Sequence, residues 1–207
     1  SLRAQARLQV GARDGSVSFE VVDPAALGVL PEPDRGDLFF DFEGDPLWAD
    51  GAQRDWGLEY LFGVVEGDQP DKPVYVSFWA HDRDAERIAL RDFLDYVGRR
   101  RTRYPRMHVY HYAAYEKTAL LRVSARHGEG EVEVDDLLRD GVLVDLYPVV
   151  RSSLRVSQPS YGLKALEPLY LDPLSLDDAR AGDVRTAVDS IAEYALACRL
   201  REAGDVD

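Results

Sequence analysis

Leu38-Phe-Phe-Asp-Phe-Glu-Gly-Asp45 is the stretch from which the rest of the chain can be placed. The run from Asp37 to Phe42 is mostly apolar and aromatic, bounded by Arg35-Gly36 before and Gly44-Asp45-Pro46 after, which fits a buried central strand. Side chains alternate faces along a strand, so Asp41 and Glu43 point one way while Phe40 and Phe42 point the other. Two carboxylates on one face repel and raise each other's pKa, whereas a divalent ion turns that repulsion into coordination. An oxygen-only ligand set suits magnesium or manganese. The competing reading is that Gly44-Asp45-Pro46 brings the segment to solvent, where the acids are ordinary turn residues.

Outward from this strand, residues 59–66 and 73–79 are two more strand-like runs separated by Gly67-Asp-Gln-Pro-Asp-Lys72, a polar hairpin turn, which predicts a three-strand antiparallel meander. The intervening residues 47–57 are a loop rich in Trp, Asp and Gly. From Asp82 to Arg101 the period changes: Ile88, Leu90, Phe93, Leu94 and Val97 recur at helical spacing, Asp82 can cap the start and Tyr104-Pro105 stops the helix. Then follow a strand over 107–112, a helix over 115–127 ended by Gly128, a short helical turn over 134–139 closed by Gly141, and a strand over 142–146. A short helix over 161–169 and a long one over 178–202 complete the pattern. The first 36 residues read as a lead-in arm with a short strand at 17–22, and residues 37–207 as one domain. Strands followed by alternating helices and strands predict an α/β domain with a mixed five-stranded sheet.

Composition narrows the function. With 38 acidic residues against 25 Lys and Arg the net charge is −13, which argues against a protein that coats nucleic acid through its overall field. An enzyme acting on nucleic acid needs only a local basic patch, and metal ions can offset both its carboxylates and substrate phosphates. Arg99-Arg100-Arg101-Thr-Arg103 with Arg106 is the candidate patch; the alternative is a solvated helix end whose arginines favour the negative pole of the helix dipole. Cys198 is the one cysteine, so neither an internal disulfide nor a thiolate zinc site is available, and no run reaches membrane-spanning length. Those features predict a cytoplasmic protein. No Gly-x-Gly-x-x-Gly or Gly-x-x-x-x-Gly-Lys-Ser/Thr loop occurs, which argues against ATP hydrolysis.

A competent two-metal site needs further acids. In Val109-Tyr-His-Tyr-Ala-Ala-Tyr-Glu-Lys117 a strand ends and a helix begins, placing Glu116 in the first turn, beside Asp41 if the two strands are neighbours. Glutamate is also common there simply because it favours the positive end of the helix dipole. His111 could be a metal ligand or base, but a lone histidine at a strand end is more often a hydrogen-bonded structural residue, and it is assigned no catalytic role.

The ordered set Asp-Phe-Glu-Gly-Asp-Pro (41–46), Glu-Tyr-Leu-Phe-Gly-Val (59–64), Val-Tyr-His-Tyr-Ala-Ala-Tyr-Glu (109–116), Val-Asp-Leu-Tyr (144–147) and Ser-Tyr-Gly-Leu-Lys-Ala-Leu-Glu (160–167) resembles the YprB-type ribonuclease-H-like domain of the DEDD exonuclease superfamily, with the nearest look to the RecB-like nuclease proteins of bacteria. The resemblance implies a ribonuclease-H-like fold and four acids binding two Mg2+ or Mn2+ ions during 3′ to 5′ phosphodiester hydrolysis of DNA or RNA. By position, Asp41 and Glu43 match the paired acids of the first motif and Glu116 the acid of the second, where many members have aspartate. Tyr112 stands where those members have asparagine and, with Lys164, is carried as a nucleic-acid contact; Asp145 matches an aspartate with a structural or substrate-side role.

The fourth acid is missing: no Tyr-Asn-x-x-Asp-like motif closes the chain, Tyr194 is followed at four residues by Cys198, and Asp183 and Asp189 lack the flanking pattern. The resemblance therefore implies a nuclease module whose closing helix lies past residue 207, in a polypeptide with RecB-like nuclease and helicase regions. The expected partner is a single-stranded 3′ end, and the 207 residues alone are expected to cleave weakly or not at all. The alternatives are a noncatalytic module that binds nucleic acid or docks on the helicase part, and a phosphoesterase acting on a small nucleotide.

Overall fold

The computed structural model describes residues 2–12, 17–49, 56–67, 72–171 and 186–203, and the chain divides into two compact units. The larger unit comprises residues 32–144 and 186–207. Its frame is a five-stranded mixed sheet in the order β4-β3-β2-β5-β6, built from β2 (Leu38–Asp45), β3 (Leu58–Glu66), β4 (Val74–Trp79), β5 (Val109–His111) and β6 (Leu143–Asp145). β2, β3 and β4 form the antiparallel meander that their alternation predicts, and β5 joins β2 in parallel with Leu38 opposite Val109. This is the mixed α/β sheet expected of a ribonuclease-H-like fold. Within the meander's first turn, residues 50–55 lie outside the described residues, as do 68–71 of the second.

Burial along β2 follows its period of two: Leu38, Phe40 and Phe42 are buried while Phe39 and Asp41 are exposed. The buried row meets α2 (Arg83–Arg103), where Phe93 stacks on Phe40 at 4.4 Å, and Phe42 packs edge-on to Phe62 at 4.5 Å. α2 forms as its sequence dictates: the Asp82 carboxylate accepts from Ala85 N at 2.8 Å, and the helix stops at Tyr104. α3 (Tyr115–His127) ends on Gly128 at φ 59°, a left-handed cap that suits glycine. α4 (Glu131–Arg139) starts three residues earlier than the apolar pattern suggested, because Glu131 and Glu133 extend its first turn. The arginines at the end of α2 are largely committed: Arg100 donates to Gly36 O at 2.7 Å and pairs with Glu66, and Arg101 pairs with Asp140 at 2.8 Å.

The smaller unit comprises residues 1–31 and 145–185. The lead-in residues carry α1 (Leu2–Gly11) and β1 (Phe19–Val21), and β1 pairs antiparallel with β7 (Leu154–Val156). Between β6 and β7 the chain forms α5 (Leu146–Ser153), where a strand was expected to run on to 146. Asp145 starts that helix, accepting from Tyr147 N at 2.9 Å. α6 (Leu163–Leu166) is one turn followed by a 3-10 turn at Glu167–Leu169, since Pro168 cannot continue the α-helical hydrogen bonds.

The last helix, α7 (Ala187–Ala203), belongs to the larger unit; residues 178–185, expected in the same helix, lie outside the described residues. Thr186 and Asp189 cap it reciprocally, with Thr186 N donating to Asp189 Oδ2 at 2.7 Å and Asp189 N to Thr186 Oγ1 at 3.2 Å. Tyr194 lays its ring on Tyr60 at 3.9 Å and 7°, and its hydroxyl donates to Ala80 O at 2.8 Å. That hydroxyl has one proton, so at the 2.9 Å contact with His81 Nδ1 the imidazole is the donor.

Candidate active site

The C-terminal half of β2 brings Asp41 and Glu43 to one face of the sheet. A bulge follows: Glu43 pairs with Leu61 but Gly44 pairs with Glu59, leaving Tyr60 as the extra residue. A bulge of this kind turns two successive side chains toward one side, and Tyr60 accordingly reaches the acidic face, where its hydroxyl engages Glu43 and stands 2.7 Å from Ser190 Oγ. Burial first, with the charge of Glu43 assisting, raises the Tyr60 pKa, so this phenol stays a donor.

Glu116 arrives from α3 through β5, the parallel neighbour of β2, as the strand-neighbour condition required. The turn before the helix is strained: Ala113 sits at φ 70°, a left-handed conformation unfavourable for a residue with a Cβ. His111 fixes this turn by directing Nδ1 at Ala113 O, 2.8 Å away. That nitrogen is also 3.3 Å from Glu116 Oε2, but its hydrogen belongs to the Ala113 carbonyl, and Oε2, fully buried, accepts no hydrogen bond from another described residue. The lone histidine is thus hydrogen-bonded within the turn.

Asp41 and Glu116 meet carboxyl to carboxyl. The Asp41 carboxyl is pushed from its ordinary 3.8 up to about 7, by the protein packed around it first, then by the shared hydrogen bond and charge of Glu116, then by the charge of Glu43. The residue keeps an exposed surface, yet most of its surroundings are protein, which is why desolvation leads. Among the described residues, no three or more His, Cys, Asp and Glu are drawn close enough to form a ready-made metal cluster. Proton sharing between Asp41 and Glu116 is the alternative to a cation between them.

A fourth carboxylate, Glu59, lies at the bulge. It is 3% exposed, the Tyr115 hydroxyl donates to its two oxygens at 3.1 and 3.0 Å, and Arg122 pairs with it. Burial lifts its pKa against the opposing pull of Arg122, and Tyr115 is pushed up to about 12 by burial and by Glu59. Gly44 makes this arrangement possible, because a Cβ there would come within 2.3 Å of Glu59 Oε2.

A model of the family described as RNase_H superfamily matches residues 38–184, well over half of the chain. The chain belongs to the RNase H superfamily. No curated protein and no solved structure gives a significant match. In this RNase H superfamily chain the matched segment contains Asp41, Glu43 and Glu116, all in the larger unit. Lys164 and Asp145 fall in the smaller unit, and Asp183 lies outside the described residues. Asp189 serves the cap of α7, and Tyr112 occupies the turn between β5 and α3, one residue before the strained Ala113. Among the described residues no helix is long and apolar enough to cross a membrane. The residues that spacing passed over are Glu59, Gly44 and Gly63; for the last, a lone glycine inside a strand was the available signal of close approach.

An RNase H superfamily domain is a nuclease-like module, and nucleases of this kind generally use divalent metals. The donor set here fits such an ion: hard carboxylate oxygens, one of them buried without a partner, beside a carboxyl that burial and like charge keep protonated up to about 7.

Proposed function

We propose that this chain is the divalent-metal-dependent nuclease module of a larger RecB-like nucleic-acid-processing protein of the YprB type, degrading DNA or RNA from a single-stranded 3′ end. Asp41, Glu43 and Glu116 are the metal ligands. Bound Mg2+ or Mn2+ would supply Lewis-acid stabilisation of charge developing at the phosphoryl group. The chain's own residues hold the acids in place: the bulge and Tyr60 orient Glu43, and His111 with Ala113 sets the turn that delivers Glu116 to Asp41. Tyr112 and Lys164 are assigned to the nucleic acid, and the RecB-like nuclease and helicase regions are partners within the same polypeptide.

The observation that carries this reading is the Asp41 and Glu116 pair, with Asp41 at about 7 and Glu116 Oε2 unpartnered. An uncompensated acid pair at a strand end is expensive as a structural feature and useful as half of a metal site. The test is incubation of a polypeptide extended past residue 207 with 3′-labelled single strands and Mn2+, beside its Asp41→Asn variant. Stepwise loss of the label in the first and none in the second supports the nuclease; binding without cleavage in both replaces it with a docking module.

A further inference from the structure

On the same face of the sheet as Asp41, β4 presents Tyr75. In register, Tyr75 lies opposite Val65, and Gly63, two residues away on β3, lies opposite Asp41 on β2. The phenol does not stand up from its own strand. It lies diagonally over Gly63: a Cβ placed on Gly63 would meet the Tyr75 hydroxyl oxygen at 3.0 Å and Cε2 at 3.5 Å. The hydroxyl therefore sits above the residue paired with Asp41, one strand spacing of about 4.8 Å from β2. Glycine in the middle of a strand weakens it, and here its lack of a side chain is what admits the phenol.

The Tyr75 hydroxyl makes no hydrogen bond to another described residue, and the residue is 58% exposed. Burial of part of the ring, then the charges of Asp41 and Glu43, raise its pKa, so it remains protonated at neutral pH and faces the acids as a donor. An O–H donor on the face that carries two carboxylates, with no bond to another described residue, has two uses. It can stabilise a carboxylate, as Tyr60 does for Glu43, or it can wait for an anion held over those carboxylates.

We propose that Tyr75 is a phosphate-contacting residue, its hydroxyl donating to a non-bridging oxygen of a nucleotide phosphate held over Asp41 and Glu43, with Gly63 kept free of a side chain to let it lie there. This rests on the nuclease reading of the same acids.

The test is calorimetric binding of a nucleoside 5′-monophosphate to the 207-residue chain in Mn2+. Tyr75→Phe, which keeps the ring, binds about tenfold or more weakly, as expected for loss of a charge-assisted hydrogen bond, with an unchanged melting temperature. Gly63→Ala, which forces the phenol aside by a few tenths of an ångström, weakens binding in the same direction but by less. Equal affinity of Tyr75→Phe and wild type overturns the proposal, as does failure of the wild-type chain to bind the nucleotide at all. The two readings separate cleanly. Weaker nucleotide binding by Tyr75→Phe without Asp41-dependent strand cleavage sinks the nuclease alone, and Asp41-dependent cleavage with nucleotide binding unchanged in Tyr75→Phe sinks the Tyr75 contact alone.

Discussion

In the metal-free protein, Asp41→Asn should stabilise the fold at alkaline pH and leave it nearly unchanged at acid pH. Asp41 rises from 3.8 to about 7 on folding. Below 3.8 both folded and unfolded chains carry the proton and the carboxyl costs nothing. Between 3.8 and about 7 the unfolded chain has released a proton that the folded protein still holds, so stability falls as pH rises, and the loss is complete above about 7. Three pH units at about 1.4 kcal/mol each set a ceiling of about 4 kcal/mol. Asp41 keeps contact with solvent, and screening reduces the expected loss to on the order of 1–2 kcal/mol. Asparagine removes the charge, so at pH 8 in EDTA the variant should melt higher, by about 2–4 °C for each kcal/mol in a chain of this size. The gap should be near zero at pH 4, intermediate at pH 6 and level above pH 7. Mn2+ at about 100 times its Kd should add about 2.7 kcal/mol to the wild type and much less to the variant, reversing their order. A gap independent of pH, or a wild type more stable than the variant at pH 8 in EDTA, refutes the reasoning.

Glu116→Gln should lower the Asp41 titration midpoint, followed by carboxyl carbon NMR, from about 7 without restoring 3.8, because desolvation remains after the Glu116 charge is gone; an unmoved midpoint contradicts the pairing. Gly44→Ala should destabilise the protein by about 1–3 kcal/mol in urea unfolding, since the new Cβ would stand 2.3 Å from Glu59 Oε2 and push that carboxylate off Tyr115 and Arg122. Glu86→Ala should cost about 3–5 kcal/mol by the same measurement, because Glu86 is 0% exposed and receives Arg126 at 2.9 Å, His127 at 2.8 Å and the backbone of Glu59. A loss below about 1 kcal/mol would show that Arg126 escapes to solvent when its partner is removed.

The parts of this protein written in local periodicity were legible. β2 alternates residue by residue and α2 repeats every three to four, so their positions and buried faces follow from the chain alone. α5 was hidden by the apolar run Val142 to Leu146, which reads as a longer strand until Asp145 is recognised as a helix cap. Likewise Asp41 and Glu43 share a face by strand geometry alone, whereas Glu116 joins them only because β5 lies parallel beside β2, and no spacing within either strand encodes that pairing. The Tyr60 and Tyr75 hydroxyls depend on register, one through a bulge and the other through a diagonal across Gly63. Register is a property of two segments at once, which is why the single sequence was silent on both.

Several locally unfavourable features gather at one end of β2. Ala113 is left-handed in the turn that delivers Glu116, a conformation costing about 1–2 kcal/mol. Gly63 and Gly44 weaken the strands that carry them, and at both positions a Cβ would crowd a neighbouring side chain. Asp41 is held against Glu116 at a pKa that makes the fold weaker as pH rises toward 7. Each could arise in a module that only docks, but a docking surface gains nothing from acid pairing or from an unpartnered buried carboxylate oxygen. A cation placed between Asp41 and Glu116 would reverse the sign of the last of these costs, and the strained turn that delivers Glu116 and the glycine beneath Tyr75 would then hold a ligand and the phenol near it. The metal-dependent reading predicts a reversal of melting order in Mn2+ and the docking reading does not, so that measurement decides between them.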